Sequence, residues 1–362
     1  MFSGSAENFY HYLCTMNTRQ LILPLSVAAI VALLMVPVQV MPERALLMGE
    51  RLFAGGGWVQ IVMASGYSFL LARYMLPRES RSVWRNRSWM LFTLFFYGQL
   101  ALGIFGDSLF LMTGKLHLPI PAVIVAGPVY RFSSWFMPIL FFSAILLAGP
   151  AWCSHLCYFG ALDSAAARVG TKRKRVGQGS MRRVFRDWMW RWKPIMRVGV
   201  LMAVVAVALV LRLMRGISDG AISLFQDTAA LWAILFFTIG LLIILLISMR
   251  RGIMAHCTVW CPVGTVVNYL KYISPFRFDV KMSKCTSCMK CIPACNYAAM
   301  NRDSQGKLVI GNGCTYCGDC LTACPHNALE YRFFGMRGDS AERLWIVVTI
   351  ILHTLFLAIA RV

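Results

Sequence analysis

The chain has 362 residues, of which 58% are hydrophobic and only 14% charged, and its net charge is +21. That composition excludes an ordinary soluble globular protein. So basic a chain would suit nucleic acid, but the charge lies beside long apolar runs. Anionic lipid headgroups are therefore its expected counterpart, and nucleic acid is not an expected partner.

Seven apolar runs are long enough to cross a bilayer: 21–40, 57–76, 89–105, 135–152, 196–213, 229–248 and 344–360. The first has a single basic residue, Arg19, before it and no small-residue cleavage site after it. It reads as a retained helix and not as a signal peptide. Between the third and fourth runs, 118–130 is apolar but broken by Pro119, Pro121 and Pro128, which suits a re-entrant or interfacial segment.

At the exit of the fourth run, 151–160 reads A-W-C-S-H-L-C-Y-F-G; beyond the sixth, 255–264 reads A-H-C-T-V-W-C-P-V-G. Both match A-x-C-x-x-x-C-x-x-G. Residues four apart share a helix face, so Cys153 with Cys157, and Cys257 with Cys261, form two half-sites. Together they could complete a sulfur cage for iron, an iron–sulfur cluster or zinc. A redox-active dithiol pair and plain structural cysteines are the competing readings. Gly160 and Gly264 would let each backbone turn away, and Pro262 would restart the second helix. His155 and His256 adjoin the pairs, though a histidine near a helix end is more often simply hydrogen-bonded. Cys14 is left over.

Between the two motifs, the basic run 171–186 leads into Trp188, Trp190 and Trp192 before the fifth span. This is the composition of a lipid-contacting loop with an interfacial tryptophan belt.

The sixth span is followed by two copies of CxxCxxCxxxC: Cys285-Cys288-Cys291-Cys295 and Cys314-Cys317-Cys320-Cys324. Zinc knuckles use CxxC pairs set well apart, without a third cysteine two residues on. The spacing instead matches two-cluster ferredoxins, in which the fourth cysteine of a run ligates the other cluster. Cys285, Cys288, Cys291 and Cys324 are thus expected around one [4Fe-4S] cluster, and Cys314, Cys317, Cys320 and Cys295 around a second. Tyr297-Ala298-Ala299-Met300 and His326-Asn327-Ala328-Leu329 follow the runs at matching positions. Each reads as a short turn or helix leading towards a strand, in a segment that would fold poorly without its clusters.

Lysine and arginine alternate between loops. They are dense in 77–88, 153–195 and 249–343, and sparse in 41–56, 106–134 and 214–228. Cytoplasmic loops collect this charge, so seven spans run N-terminus inside, C-terminus outside, with the cysteine runs in the reducing cytoplasm. No nucleotide-phosphate loop, CxxCH haem motif or catalytic triad is present, and no catalytic residue is assigned. Asp107, Lys115, His117, Asp219 and Asp227 could line a quinone site, but solvated loop residues explain them equally well.

The ordered set of Cys153/Cys157, Cys257/Cys261 with Pro262 directly after, and then two cluster runs resembles the NapH/MauN/NosR-type membrane-bound ferredoxin-like proteins. NapH/MauN subunits are the nearest, over about 135–332. In that family CxxxC is followed by proline, whereas Cys157 is followed by Tyr158, and this chain has additional spans. No large extracytoplasmic flavin domain is present, so flavin chemistry does not carry over. The resemblance implies relay of electrons between the quinone pool or a cytoplasmic donor and a partner respiratory oxidoreductase. Such a chain is a quinol dehydrogenase-like subunit and not a stand-alone enzyme; maturation of a metalloenzyme and membrane metal reduction are the alternatives.

The expected fold is mostly α: a polytopic bundle of about seven spans with a cytoplasmic α+β insert, in a bacterial inner membrane. It divides into N-terminal helices (1–134), core helices with both CxxxC motifs (135–280), a two-cluster ferredoxin-like domain (281–332) and a C-terminal helix (333–362). Expected partners are membrane lipids, a redox protein and, as a candidate, quinone.

Overall fold

The computed structural model describes residues 18–41, 47–107, 110, 121–131, 136–172, 178–217 and 222–359. Cys14, His11, Lys115, His117 and Asp219 lie outside them. In chain order the elements are α1 (Thr18–Val40), α2 (Met48–Leu52), α3 (Gly56–Met75), α4 (Arg78–Phe105), α5 (Pro121–Arg131), α6 (Phe136–Ala148), α7 (Tyr158–Lys172), α8 (Gln178–Ile217) and α9 (Ile222–Ile243). There follow α10 (Met249–Arg251), α11 (Pro262–Leu270), β1 (Phe276–Val280), α12 (Cys291–Ala294), β2 (Met300–Arg302), β3 (Leu308–Ile310), α13 (Asp319–Thr322), β4 (Leu329–Phe333), β5 (Met336–Arg337) and α14 (Asp339–Ile359).

Six helical segments among the described residues are long and apolar enough to cross a membrane: Leu21–Val40, Arg78–Phe105, Pro138–Leu156, Arg183–Met214, Thr228–Arg251 and Asp339–Ile359. The protein is therefore a multi-pass membrane protein. The expected second span is a helix, α3, but it is not among the six: Gln60, Ser65, Ser68 and Arg73 dilute its apolar run. The proline-broken segment forms α5, whose 11 residues are too short to span.

The chain divides into two compact units. The first comprises residues up to Trp84 with Ile346–Ala360. Its core is Val31, Met35, Leu47, Ile61 and Ala64, against which Ile351, Leu355 and Ala358 pack. Tyr67 Oη and His353 Nε2 are hydrogen-bonded at 3.0 Å, and Gln60 donates to the Ala358 carbonyl at 2.7 Å.

The second unit, Arg85–Trp345, holds both CxxxC motifs and both cysteine runs. Among its described residues are two antiparallel sheets. In one, β4 pairs with β1 and β5; in the other, β2 pairs with β3. The first sheet reaches Phe276 and Arg337, beyond the expected 281–332 on both sides. Its buried face carries Phe276, Phe278 and Tyr331. Trp345 stacks on Tyr331 with ring centroids 4.9 Å apart, and its indole N–H donates to the Ala148 carbonyl at 3.1 Å. One buried tryptophan thus ties the sheet to the end of α6.

Candidate metal centres

The two cysteine runs fold alike because their backbones turn alike. Ser287, Met289 and Ala298 have φ of 54°, 59° and 46°; Tyr316, Gly318 and Asn327, at the matching positions, have 56°, 80° and 47°. Five of these six are not glycine, so each loop is held in a left-handed bend that costs conformational energy and curls its thiols inward. After the bends, the amide of Ala299 donates to Cys295 Sγ at 3.3 Å and that of Ala328 to Cys324 Sγ at 3.4 Å.

The thiols gather across the runs. Cys285, Cys288, Cys291 and Cys324 line one cavity. Cys295, Cys314, Cys317 and Cys320 line another. The first opens outward: Cys288 is exposed and Cys285 and Cys324 are half-buried. In the second, Cys295, Cys314 and Cys320 are all buried. Burial pushes the Cys291 and Cys314 thiols up to about 11. Free thiolates there would be costly, and bound iron would hold them ionised.

The CxxxC pairs also come together, though not on α-helical faces. Trp152–Leu156 and His256–Trp260 are π turns, closed by Cys157 N–H to Trp152 O at 2.9 Å and Cys261 N–H to His256 O at 3.0 Å. Cys157 (ψ 118°) and Cys261 (ψ 114°) are extended and start the next helices, α7 and α11. Cys261 Sγ caps α11, accepting from the Gly264 amide at 3.5 Å. Cys157 likewise accepts from Phe159 and Gly160. Each pair therefore has one thiol at a helix N-terminus, where negative charge is favoured.

All four thiols are neighbours. Cys153 and Cys261 pack in one cluster with Trp152 and Phe141. The Cys257 thiol is pushed up first by burial, then by Asp163 and by Cys261, Cys157 and Cys153. Across the pairs, the Asp163 carboxylate accepts the Cys257 amide at 2.9 Å. Among the described residues, no three His, Cys, Asp or Glu side chains close around a single metal ion.

Gly160 and Gly264 sit in helices, and neither turns the chain away as expected. A Cβ on Gly160 would lie 2.5 Å from the Trp89 ring, so the glycine admits the indole. Trp89 in turn donates to the Cys157 carbonyl at 2.8 Å. His155 bonds Ser154 Oγ at 2.9 Å. His256 is 3% exposed with neither ring nitrogen hydrogen-bonded among the described residues, and burial holds it neutral, pushed down to about 3.

Buried basic side chains surround these sites, Arg197, Lys193, Lys271 and Arg85 among them. Arg197 donates to the carbonyls of Thr258 at 2.7 Å and Cys257 at 3.0 Å. Lys193 donates to Tyr297 O at 3.0 Å, and Lys271 to Cys314 O at 3.1 Å. Arg85 spans Ser154 O at 3.0 Å and Asp319 Oδ2 at 2.8 Å. Buried cations held mainly by carbonyls fit anionic thiolate-bound centres and would be costly beside empty thiols. Sequence reasoning missed them. Arg197, a charge within a predicted span, was the available signal.

The quartet touches the wall of the second cavity. Tyr297 Oη donates to Cys153 O at 2.7 Å and Ser154 Oγ to Thr315 O at 3.1 Å; Tyr297, Thr315 and Asp319 line that cavity. The expected lipid-facing tryptophan belt is partly redirected here. A Cβ on Gly311 would meet Trp190 at 2.7 Å, and Arg186 donates to the Ile292 carbonyl. Trp188 and Trp192 remain exposed. Of the suggested quinone-site residues, Asp107 is exposed and Asp227 lies in α9.

Family models of 4Fe-4S proteins match three stretches. A 4Fe-4S dicluster domain spans 284–329. A 4Fe-4S binding domain matches 130–176 and again 231–281, each stretch holding one CxxxC pair. No curated protein and no solved structure matches significantly. The chain is an iron–sulfur electron-transfer protein of the membrane.

Proposed function

We propose that the chain carries electrons through three iron–sulfur centres: the CxxxC quartet at the membrane, then the second cavity, then the first. The observation that carries this reading is the crosswise gathering of the eight thiols, with Tyr297 of the second cavity's wall donating to the Cys153 carbonyl and Ser154 Oγ donating to the Thr315 carbonyl of that wall. When bound, [4Fe-4S] clusters accept and release single electrons at potentials set by burial and hydrogen bonds.

The residues act around them. Cys285, Cys288, Cys291 and Cys324 hold one cluster, and Cys295, Cys314, Cys317 and Cys320 the other. Cys153, Cys157, Cys257 and Cys261 hold the third centre. Arg197, Lys193, Lys271 and Arg85 offset the negative charge, and Tyr297 and Ser154 fix the spacing between the quartet and the second cavity. The alternating loop charge supports seven spans with the ferredoxin-like domain on the cytoplasmic side of a bacterial inner membrane. Resemblance to NapH/MauN/NosR-type proteins supports a respiratory relay between quinone or a cytoplasmic donor and a partner oxidoreductase.

Cys324→Ser tests the crosswise ligation. It lies in the second run, yet it should disturb the EPR signal of the cluster held by Cys285, Cys288 and Cys291. Loss of the other signal instead would overturn the assignment.

A further inference from the structure

We propose that the rim of the first cavity is a docking face for an acidic, soluble one-electron carrier protein. The inference rests on the reading of that cavity as a cluster site. Its cysteines are the more exposed of the two sets, with Cys288 exposed between exposed Ser287 and buried Met289. Lys281, Lys284 and Lys290 stand exposed around it. Lys284 directly precedes Cys285, Lys290 directly precedes Cys291, and the Lys281 amide bonds Ala328 O of the cavity wall at 2.7 Å.

The acids nearby do not cancel this charge. Among the described residues, no carboxylate lines the first cavity, whereas Asp319 lines the second. Asp279 and Glu330 face each other across β1 and β4, and Asp279 is paired with Arg332 at 2.7 Å. Asp303 is turned onto its own hairpin, accepting the amides of Gln305 and Lys307. Met282, 56% exposed, adds an apolar contact within the basic rim. An apolar centre ringed by one sign of charge steers and orients a partner of opposite charge. One electron then passes between the carrier's redox centre and the centre behind Cys288, one oxidised as the other is reduced, with no bond made or broken.

The test uses the full chain with its iron, in nanodiscs of zwitterionic lipid, and an acidic [2Fe-2S] ferredoxin as probe. Binding is read by biolayer interferometry at low and high ionic strength. Affinity should fall with salt, and Lys284→Glu with Lys290→Glu should weaken it about tenfold or more at low salt. Iron content and the dithionite-reduced EPR spectrum of the same samples report separately on the cluster sites. Should the double change lose iron, Lys281→Glu carries the same test at smaller amplitude. Affinity indifferent to salt and to the reversals, or equal binding of a basic cytochrome, would overturn the proposal.

Discussion

Asp319 faces two guanidiniums, Arg85 at 2.8 Å and Arg168 at 3.9 Å. Arg85 is 1% exposed, so its charge depends on that carboxylate. Asp319→Asn leaves a buried cation without its counter-charge, a change of about 3–5 kcal/mol in comparable sites. It also removes a negative charge from the wall of the second cavity. The expected outcome is a lower melting temperature together with a raised potential for the second cluster, both read on one preparation by thermal scan and EPR redox titration. A lowered potential would contradict the placement of Asp319 beside that cluster. Gly160 offers a purely steric counterpart. Gly160→Ala drives a methyl into Trp89 and should cost about 1–3 kcal/mol. In a double-mutant cycle, Trp89→Phe should recover part of it; strict additivity would mean that the two do not touch.

At the scale of elements, the strained bends make a sharper prediction than the strands do. Ala298 and Asn327 hold φ of 46° and 47° at equivalent positions. Glycine takes this conformation freely and β-branched residues do not. Ala298→Gly should therefore leave iron content and melting temperature unchanged or slightly improved, while Ala298→Val lowers both. Equal tolerance of the two in iron analysis would argue that the bend plays no part in holding the cluster.

The ferredoxin-like repeat was legible because cysteine spacing constrains the loop directly. Met300–Arg302 and Leu329–Phe333 duly form strands after the matching turns. The CxxxC turns were not legible. A spacing of four residues reads as an α-helical face, and the extra residue of each π turn depends on the bonds Trp152 O to Cys157 N–H and His256 O to Cys261 N–H. Long-range partners such as Arg197 and Lys193 on α8 are set by tertiary packing, which no local pattern encodes. Likewise α3 was recognisable as a helix, but Gln60, Ser65, Ser68 and Arg73 leave its membrane crossing undecided by hydropathy.

For the whole molecule, the proposed relay ends at the first cavity, where Cys288 is exposed. The proposed membrane orientation rests on loop charge and has its own check. A cysteine placed at Ser304, exposed in the turn between β2 and β3, should react with an impermeant maleimide in inside-out vesicles and not in spheroplasts. The reverse pattern would invert the topology.

The central claim, that this chain carries a membrane-side centre as well as its ferredoxin-like pair, is tested most directly by metal content. Iron and acid-labile sulfide should be measured on anaerobically purified full-length protein and on the variant with serine at Cys153, Cys157, Cys257 and Cys261. The expected result is about twelve irons per chain with matching sulfide, falling to about eight in the variant. About eight in both would contradict the membrane-side centre, and fewer than eight in the intact protein would contradict the paired clusters themselves.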